Sequence, residues 1–264
     1  MPVTIRMAAA GVVAPSEVAP SSTDTDHTLA ELLADDTKWD PEAVLARVAA
    51  YPEEAAIADD KEELPVHKKR VLRDSRVLAG VLAAHPAGAR VLNPSGDTPL
   101  HLAIRLSAPA ESVALLLEAA PEAASVSTFL DKHLPVHKIS AATPLEVVRL
   151  LIRAHPASAC AVNSSGDTAL HRAVENNAPV ELVALLLEAA PEAAAIAGRG
   201  GCLPVHKITA ATPLEVVRLL IRAHPASACA VNSSGDTALH RAVENNAPVE
   251  LVALLLEAAP EAAA

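Results

Sequence analysis

An all-α solenoid, a stack of helix–loop–helix repeats with short projecting loops, is the fold class that three observations predict. The composition favours helices: half of the 264 residues are apolar, led by Ala, Leu and Val, and Trp39, Tyr51 and Phe129 are the only aromatics. Ala, Leu, Glu and Arg are strong helix formers, while aromatic strand formers are nearly missing, which argues against an all-β fold. The chain also repeats itself: Leu134–Ala195 recur as Leu203–Ala264 at an offset of 69, the one difference being Ser140, which becomes Thr209. Finally, six histidines (His67, His101, His137, His171, His206 and His240) follow one another at 34, 36, 34, 35 and 34 residues. A unit of that length cannot bury its own apolar stripe, so neighbours must stack.

The elements follow in order. Residues 1–25 are rich in Ala, Pro, Ser and Thr and are expected to be a disordered tail. Residues 26–63 read as an acidic helical half-repeat or N-terminal cap, with a helix over Asp40–Glu54 and two of the three aromatics. The array then spans 64–264, in units of about 64–97, 98–133, 134–167, 168–202, 203–236 and 237–264. In the third unit Thr143-Pro144-Leu145-Glu146 reads as a capping box with Pro at the first helical position. Leu145, Val148, Leu151 and Ile152 then form a stripe of helical period, and Pro156 stops the helix. The even units run Val180–Ala190 and stop at Pro191 in the same way. Asn163-Ser164-Ser165-Gly166-Asp167 and Gly198-Arg199-Gly200-Gly201 are turn signals between units. Each unit thus reads as a short helix, a tight loop, a longer helix and a projecting loop.

The short motif around the histidines takes two forms. One is Leu-Pro-Val-His, opening at Leu64, Leu134 and Leu203; the other opens at Thr98, Thr168 and Thr237. Thr98-Pro99-Leu100-His101-Leu102-Ala103 carries the full T-P-L-H-x-A pattern, and Thr168–Ala173 and Thr237–Ala242 carry it with Ala for Pro. Over about residues 64–264 the chain resembles the ankyrin repeat family. The Leu-Pro-Val-His units depart from the pattern by losing the threonine. Ala190-Pro191-Glu192-Ala193 stands where the family has a glycine closing its second helix. The resemblance implies an ankyrin-like α-solenoid. It implies too that the motif histidines tie neighbouring loops by hydrogen bonds, making His67, His101, His137, His171, His206, His240 and Thr98, Thr168, Thr237 structural.

Charge and chemistry narrow the function. Asp24–Glu63 hold 13 acids against 3 bases, whereas Leu64 to the end hold 18 against 17, so the net charge of −11 belongs to the N-terminal segment. Neither part has the net basic surface that nucleic-acid backbone binding requires, so no nucleic-acid partner is expected. The apolar stretch Leu182–Leu187 ends at Glu188, far short of a membrane span, and the opening Ala8–Ala14 run is too short for a signal peptide. Cys160, Cys202 and Cys229 are odd in number and lack close pairing, which suits a reduced, cytoplasmic protein, with the nucleus as the alternative. No metal site is expected, because equivalent histidines two repeats apart lie about 20 Å from each other while zinc needs ligands at about 2 Å. Ser165, Asp167 and His171 recur as Ser234, Asp236 and His240, as turn residues would, and Gly198–Gly201 lacks the Lys-Ser/Thr of a phosphate loop. The basic run Lys68, Lys69, Arg70, Arg73 and Arg76 follows Asp59, Asp60, Glu62 and Glu63 and reads as a balanced charged face. No catalytic residue and no cofactor are expected.

What remains is binding. The resemblance implies a non-enzymatic protein–protein interaction or scaffold module that holds a protein partner on its concave face. The rival reading is a regulatory region of a longer protein whose catalytic or membrane domain lies beyond Ala264. Matching to the family pattern places Glu175, Asn176, Asn177 and their copies Glu244, Asn245, Asn246 at the groove as candidate partner-binding residues, with Arg172 and Arg241, where the family has an apolar residue, as further candidates; the alternative reading is that Asn176 and Asn177 break the helix and satisfy nearby backbone groups. Two further expectations concern the outer helices. Glu118, Arg153, Glu188, Arg222 and Glu257 share one position in successive units with alternating sign, which suggests a ladder of ion pairs. Without a polar end unit, Leu251, Leu254 and Leu255 are expected to be exposed, so that the last unit self-associates or frays.

Overall fold

The computed structural model describes residues 27–34 and 39–259, so the expected tail over 1–25 lies outside the described residues. Among them the regular elements are α-helices and 3₁₀ turns, with no strand. In chain order the helices are α1 (Leu29–Ala34), α2 (Pro41–Ala50), α3 (Lys69–Arg73), α4 (Ser75–Ala84), α5 (Pro99–Arg105), α6 (Ala110–Ala119), α7 (Leu145–Ala154), α8 (Ala169–Glu175), α9 (Val180–Ala189), α10 (Leu214–Ala223), α11 (Ala238–Glu244) and α12 (Val249–Ala258). They lie in two rows. In the outer row α2, α4, α6, α7, α9, α10 and α12 each pack on the next. The inner row runs α3, α5, the 3₁₀ turn Pro135–Lys138, α8, the turn Pro204–Lys207 and α11. The chain is an all-α solenoid, as its repeats dictate.

The outer helices are each ten residues long because proline brackets them. Pro109, Pro144, Pro179, Pro213 and Pro248 stand just before the first turn. At the other end Pro121, Pro156, Pro191 and Pro225 stop the helix and open a 3₁₀ turn, since proline lacks the amide proton that continuation needs. Val147, Val148 and Leu151 of α7 and Leu182, Val183 and Leu186 of α9 face the core, each at most 1% exposed. Burying each such side chain stabilises the stack by about 2 kcal/mol.

The structure corrects the expected cap of α7. Thr143 does not cap that helix; Pro144 stands at its N-cap, and the Thr143 hydroxyl accepts from the Ser140 amide at 2.9 Å. The Thr143 amide in turn donates to the Ser140 carbonyl at 3.0 Å. This closed Ser–Thr turn competes with helix for the same backbone groups, so the inner element of the third unit shrinks to one 3₁₀ turn. Thr209 and Thr212 repeat it in the fifth unit. True capping boxes sit one motif away, at Thr98, Thr168 and Thr237. There the threonine Oγ1 accepts from the amide of the motif histidine, and that histidine's Nδ1 accepts from the threonine amide.

Two outer-row expectations also change. Glu118, Arg153, Glu188, Arg222 and Glu257 are all exposed and, among the described residues, no ion pair joins them. Side chains that point straight into water gain too little from pairing to give up their rotamer freedom. Leu251 and Leu255 are only 2% and 1% exposed, because the face they occupy turns back onto α10 and α11. The apolar surface left open there is instead Val243, Val249 and Leu256.

Candidate partner-binding surface

The motif histidines are the joints that fix the inner row. In each of the first five units Nδ1 accepts a backbone amide at the start of the motif. On the far side Nε2 lies 2.9–3.0 Å from a carbonyl of the following loop: Val91, His133, Ala161, Cys202 and Ala230 for His67, His101, His137, His171 and His206. A ring that accepts at Nδ1 and faces a carbonyl at Nε2 carries its single proton on Nε2 and is neutral. Burial agrees: it holds all five below the ordinary histidine value, His101 and His137 at about 4. Every lone pair and proton is committed to backbone, so these rings have nothing left for a metal or a substrate. His171 bonds Thr168 and Cys202, not Ser165. Among the described residues there is no group of three or more His, Cys, Asp or Glu that could hold a metal ion. Burial and Glu192 push the Cys160 thiol up to about 11, with Sγ donating to the Glu192 carboxylate at 3.0 Å. A thiol held protonated in this way is a poor nucleophile.

The residues matched to the groove fall into two clusters at the ends of α8 and α11. Arg172 pairs with Glu175 at 2.5 Å, and Lys207 of the next unit approaches Glu175 at 3.9 Å. Arg241 pairs with Glu244 in the second cluster. Asn176 is exposed just past the end of α8. Its copy Asn245 donates to the Ile208 carbonyl of the preceding unit at 2.9 Å. Asn177 serves the scaffold instead. Its φ of 51° lies in the left-handed region that Asn tolerates, and its Oδ1 accepts from Thr209 and Thr212 at 2.7 and 3.0 Å. Asn246 holds the same backbone shape at φ 53°. Glu175, Asn176 and Glu244 are exposed and Arg172 and Arg241 are half-buried beside them, while Asn177 joins units four and five.

Sequence reasoning missed two features. The acids of the first two Gly-Asp-Thr turns reach forward: Asp97 lies 3.8 Å from Lys138 and 3.4 Å from Arg105, and Asp167 lies 3.7 Å from Lys207. The recurring Lys after each Leu-Pro-Val-His was the available signal. The loop 126–133 also raises Phe129 and Leu130 to its tip, 67% and 85% exposed, where the copy of this loop has Gly198-Arg199-Gly200-Gly201. The basic run is spent internally. Lys68 pairs with Asp59 and Glu63, Arg73 donates to the Leu106 carbonyl at 2.9 Å, and Arg76 reaches Glu42 at 3.0 Å.

The stacked helix pairs and their histidine joints define a class, the ankyrin repeats. The family model described as ankyrin repeats (many copies) matches residues 136–187 and 193–256, so the chain carries ankyrin repeats over those two stretches. Solved structures agree on the fold. The ankyrin repeat domain of Bcl-3, described as a unique member of the IkappaB protein family, is 24% identical with a TM-score of 0.66, over 89% of this chain and 99% of that one. The human ASB11 ankyrin repeat domain is 20% identical with a TM-score of 0.66, over 88% of this chain and 97% of that one. None of the curated proteins matches this chain.

Proposed function

We propose that the array is a non-enzymatic interaction module that holds a protein partner along its inner, concave side. Ankyrin repeat domains in general mediate protein–protein contacts. The observation that carries the reading for this chain is the division of labour along the inner row. The histidines, threonines, Asn177 and Asn245 are consumed by the scaffold, whereas Arg172, Glu175, Asn176, Arg241 and Glu244 keep charge and amide groups at the surface. The two clusters are copies set two units apart, so a partner with a matching repeat gains from engaging both. Three free cysteines support a reducing, cytoplasmic setting. The test replaces Glu175, Asn176, Arg241 and Glu244 with Ala in the full chain. Loss of partner capture from lysate, at unchanged helix content and melting, supports the reading; a variant that captures the same proteins places the contact elsewhere.

A further inference from the structure

The loops that lead into the third and fifth units are closed by the same backbone bonds and differ in their side chains. In the first, the Thr128 amide donates to the His133 carbonyl and the Ser164 amide to the Asp131 carbonyl, both at 2.9 Å. In the copy, the Gly198 amide donates to the Cys202 carbonyl and the Ser233 amide to the Gly200 carbonyl, both at 2.8 Å. Gly198-Arg199-Gly200-Gly201 thus meets the needs of the scaffold, and what the first loop carries beyond it is additional. Phe129 and Leu130 stand in water at its tip. At its base His133 stacks on His137 with the ring centroids 5.7 Å apart, and its Nε2 accepts from Asn163 Nδ2 at 2.9 Å. The Asn163 amide is fixed in that sense because its Oδ1 accepts from the Ser165 and Asp167 amides. The single proton of the ring therefore sits on Nδ1, which is buried and has no partner among the described residues. Arg172 Nε is buried without a partner as well, while its Nη1 is held by Glu175. Arg172 belongs to α8, which packs on the turn Pro135–Lys138 next to this ring.

A buried donor without an acceptor is costly, and each of these two calls for an oxygen. Stacking does not impose that cost. In the copy Cys202 stands in place of His133, Asn232 Nδ2 donates to its Sγ at 3.7 Å, and no imidazole donor is present. The charges around the ring select the kind of oxygen. Burial, and after it the charge of Lys138, holds His133 below the ordinary histidine value; Arg172 adds to this, and Asp131 and Asp97 oppose it. Two cations against two carboxylates leave no surplus for an anion, and Glu175 already faces Arg172. We propose that the loop 126–133 and Arg172 form a docking surface for an uncharged, apolar segment of a protein partner, which lays its side chains on Phe129 and Leu130 and gives an amide carbonyl to His133 Nδ1–H and Arg172 Nε–H. A carbonyl oxygen has two lone pairs and can accept from both donors. This surface rests on the interaction-module reading above and supplies the chemistry of the partner. It also sets the two groove clusters apart, because the Arg241 cluster lies behind Cys202 and has no equivalent.

The test selects displayed random peptides on the full chain, with counter-selection on a full chain carrying His133→Cys and Leu130→Arg. Both changes install residue types that the copy of this loop already holds, at Cys202 and Arg199, so the variant is expected to melt with the parent. Enriched peptides are expected to be apolar and uncharged and to shift the proton resonances of His133 Nδ1–H and Arg172 Nε–H. They are expected to bind the variant at least about tenfold more weakly, as loss of one hydrogen bond and an apolar contact would dictate. Should the double variant melt lower, Leu130→Arg alone, at a side chain 85% exposed, repeats the comparison. Enrichment of Asp or Glu overturns the uncharged class in favour of a carboxylate. Peptides that bind parent and variant alike, or no enrichment at all, overturn the surface. A lysate partner that is lost on replacing Glu175, Asn176, Arg241 and Glu244 but kept by His133→Cys with Leu130→Arg overturns this surface and leaves the module reading standing.

Discussion

At the scale of single residues the histidine joints set the pH dependence. Each buried ring must stay neutral to keep accepting at Nδ1, so the folded state resists a proton that the unfolded chain takes up near pH 6.5. A depressed folded value means that the stabilisation is complete above about pH 6.5 and is lost as the pH falls towards about 4. For His101 and His137 that interval amounts to about 3 kcal/mol each. Urea midpoints are expected to be flat from pH 8 to 7 and to fall steeply between 6 and 4.5; a flat profile across that range would contradict the neutral-ring joint. A second residue-scale prediction concerns two glycines in equivalent turns. Gly96 (φ +78°) has the Phe129 ring 2.6 Å from where a β-carbon would stand, while Gly235 (φ +84°) has nothing within 4 Å. Gly235→Ala carries only the left-handed backbone penalty of about 1 kcal/mol. Gly96→Ala carries that and the displacement of Phe129, so its denaturation midpoint should fall further and its Phe129 ring resonances should shift.

At the scale of elements, the difference between α8 and the turn Pro135–Lys138 follows from local hydrogen bonding. Thr168 caps α8 forward, on His171; Thr143 bonds backward, to Ser140. Thr168→Ala is expected to destabilise the chain by about 1 kcal/mol, as loss of an N-cap does, with the exchange of α8 amides rising most. The outer helices answer differently. Arg153 is exposed and unpaired with Glu118 or Glu188, so Arg153→Glu is expected to change stability by less than about 0.5 kcal/mol. Denaturation in low salt and in 1 M salt should agree; a salt-dependent loss would restore the charge ladder.

At the scale of the whole molecule stability is a sum over neighbours, since each unit touches only the next. The duplicated block makes this measurable inside one chain. Residues 169–189 and 238–258 have the same sequence and the same helices, but the first set is covered on both sides. Exchange in the second set is expected to be at least about tenfold faster, and it should be the first segment lost on heating. Equal protection would mean that local sequence, not stacking, holds these helices.

The repeat spacing, the proline brackets and the scarcity of strand formers determined the all-α stack by themselves, because a period of 34 to 36 residues and a proline at both ends of the outer helices are properties of the chain. The motif histidines were legible as joints through the resemblance, since their pattern survives even where threonine gives way to leucine. The groove residues were legible only as positions. That Asn177 is a fastener and Asn176 is not depends on Thr209 and Thr212, which lie more than thirty residues away and meet Asn177 only when unit five stacks on unit four. The direction in which Thr143 bonds, the burial of Leu251 and Leu255, and the exposure of Val243 likewise belong to the tertiary structure. Identical sequences end buried in one place and open in another, because burial is set by the neighbour a helix finds and not by the helix itself.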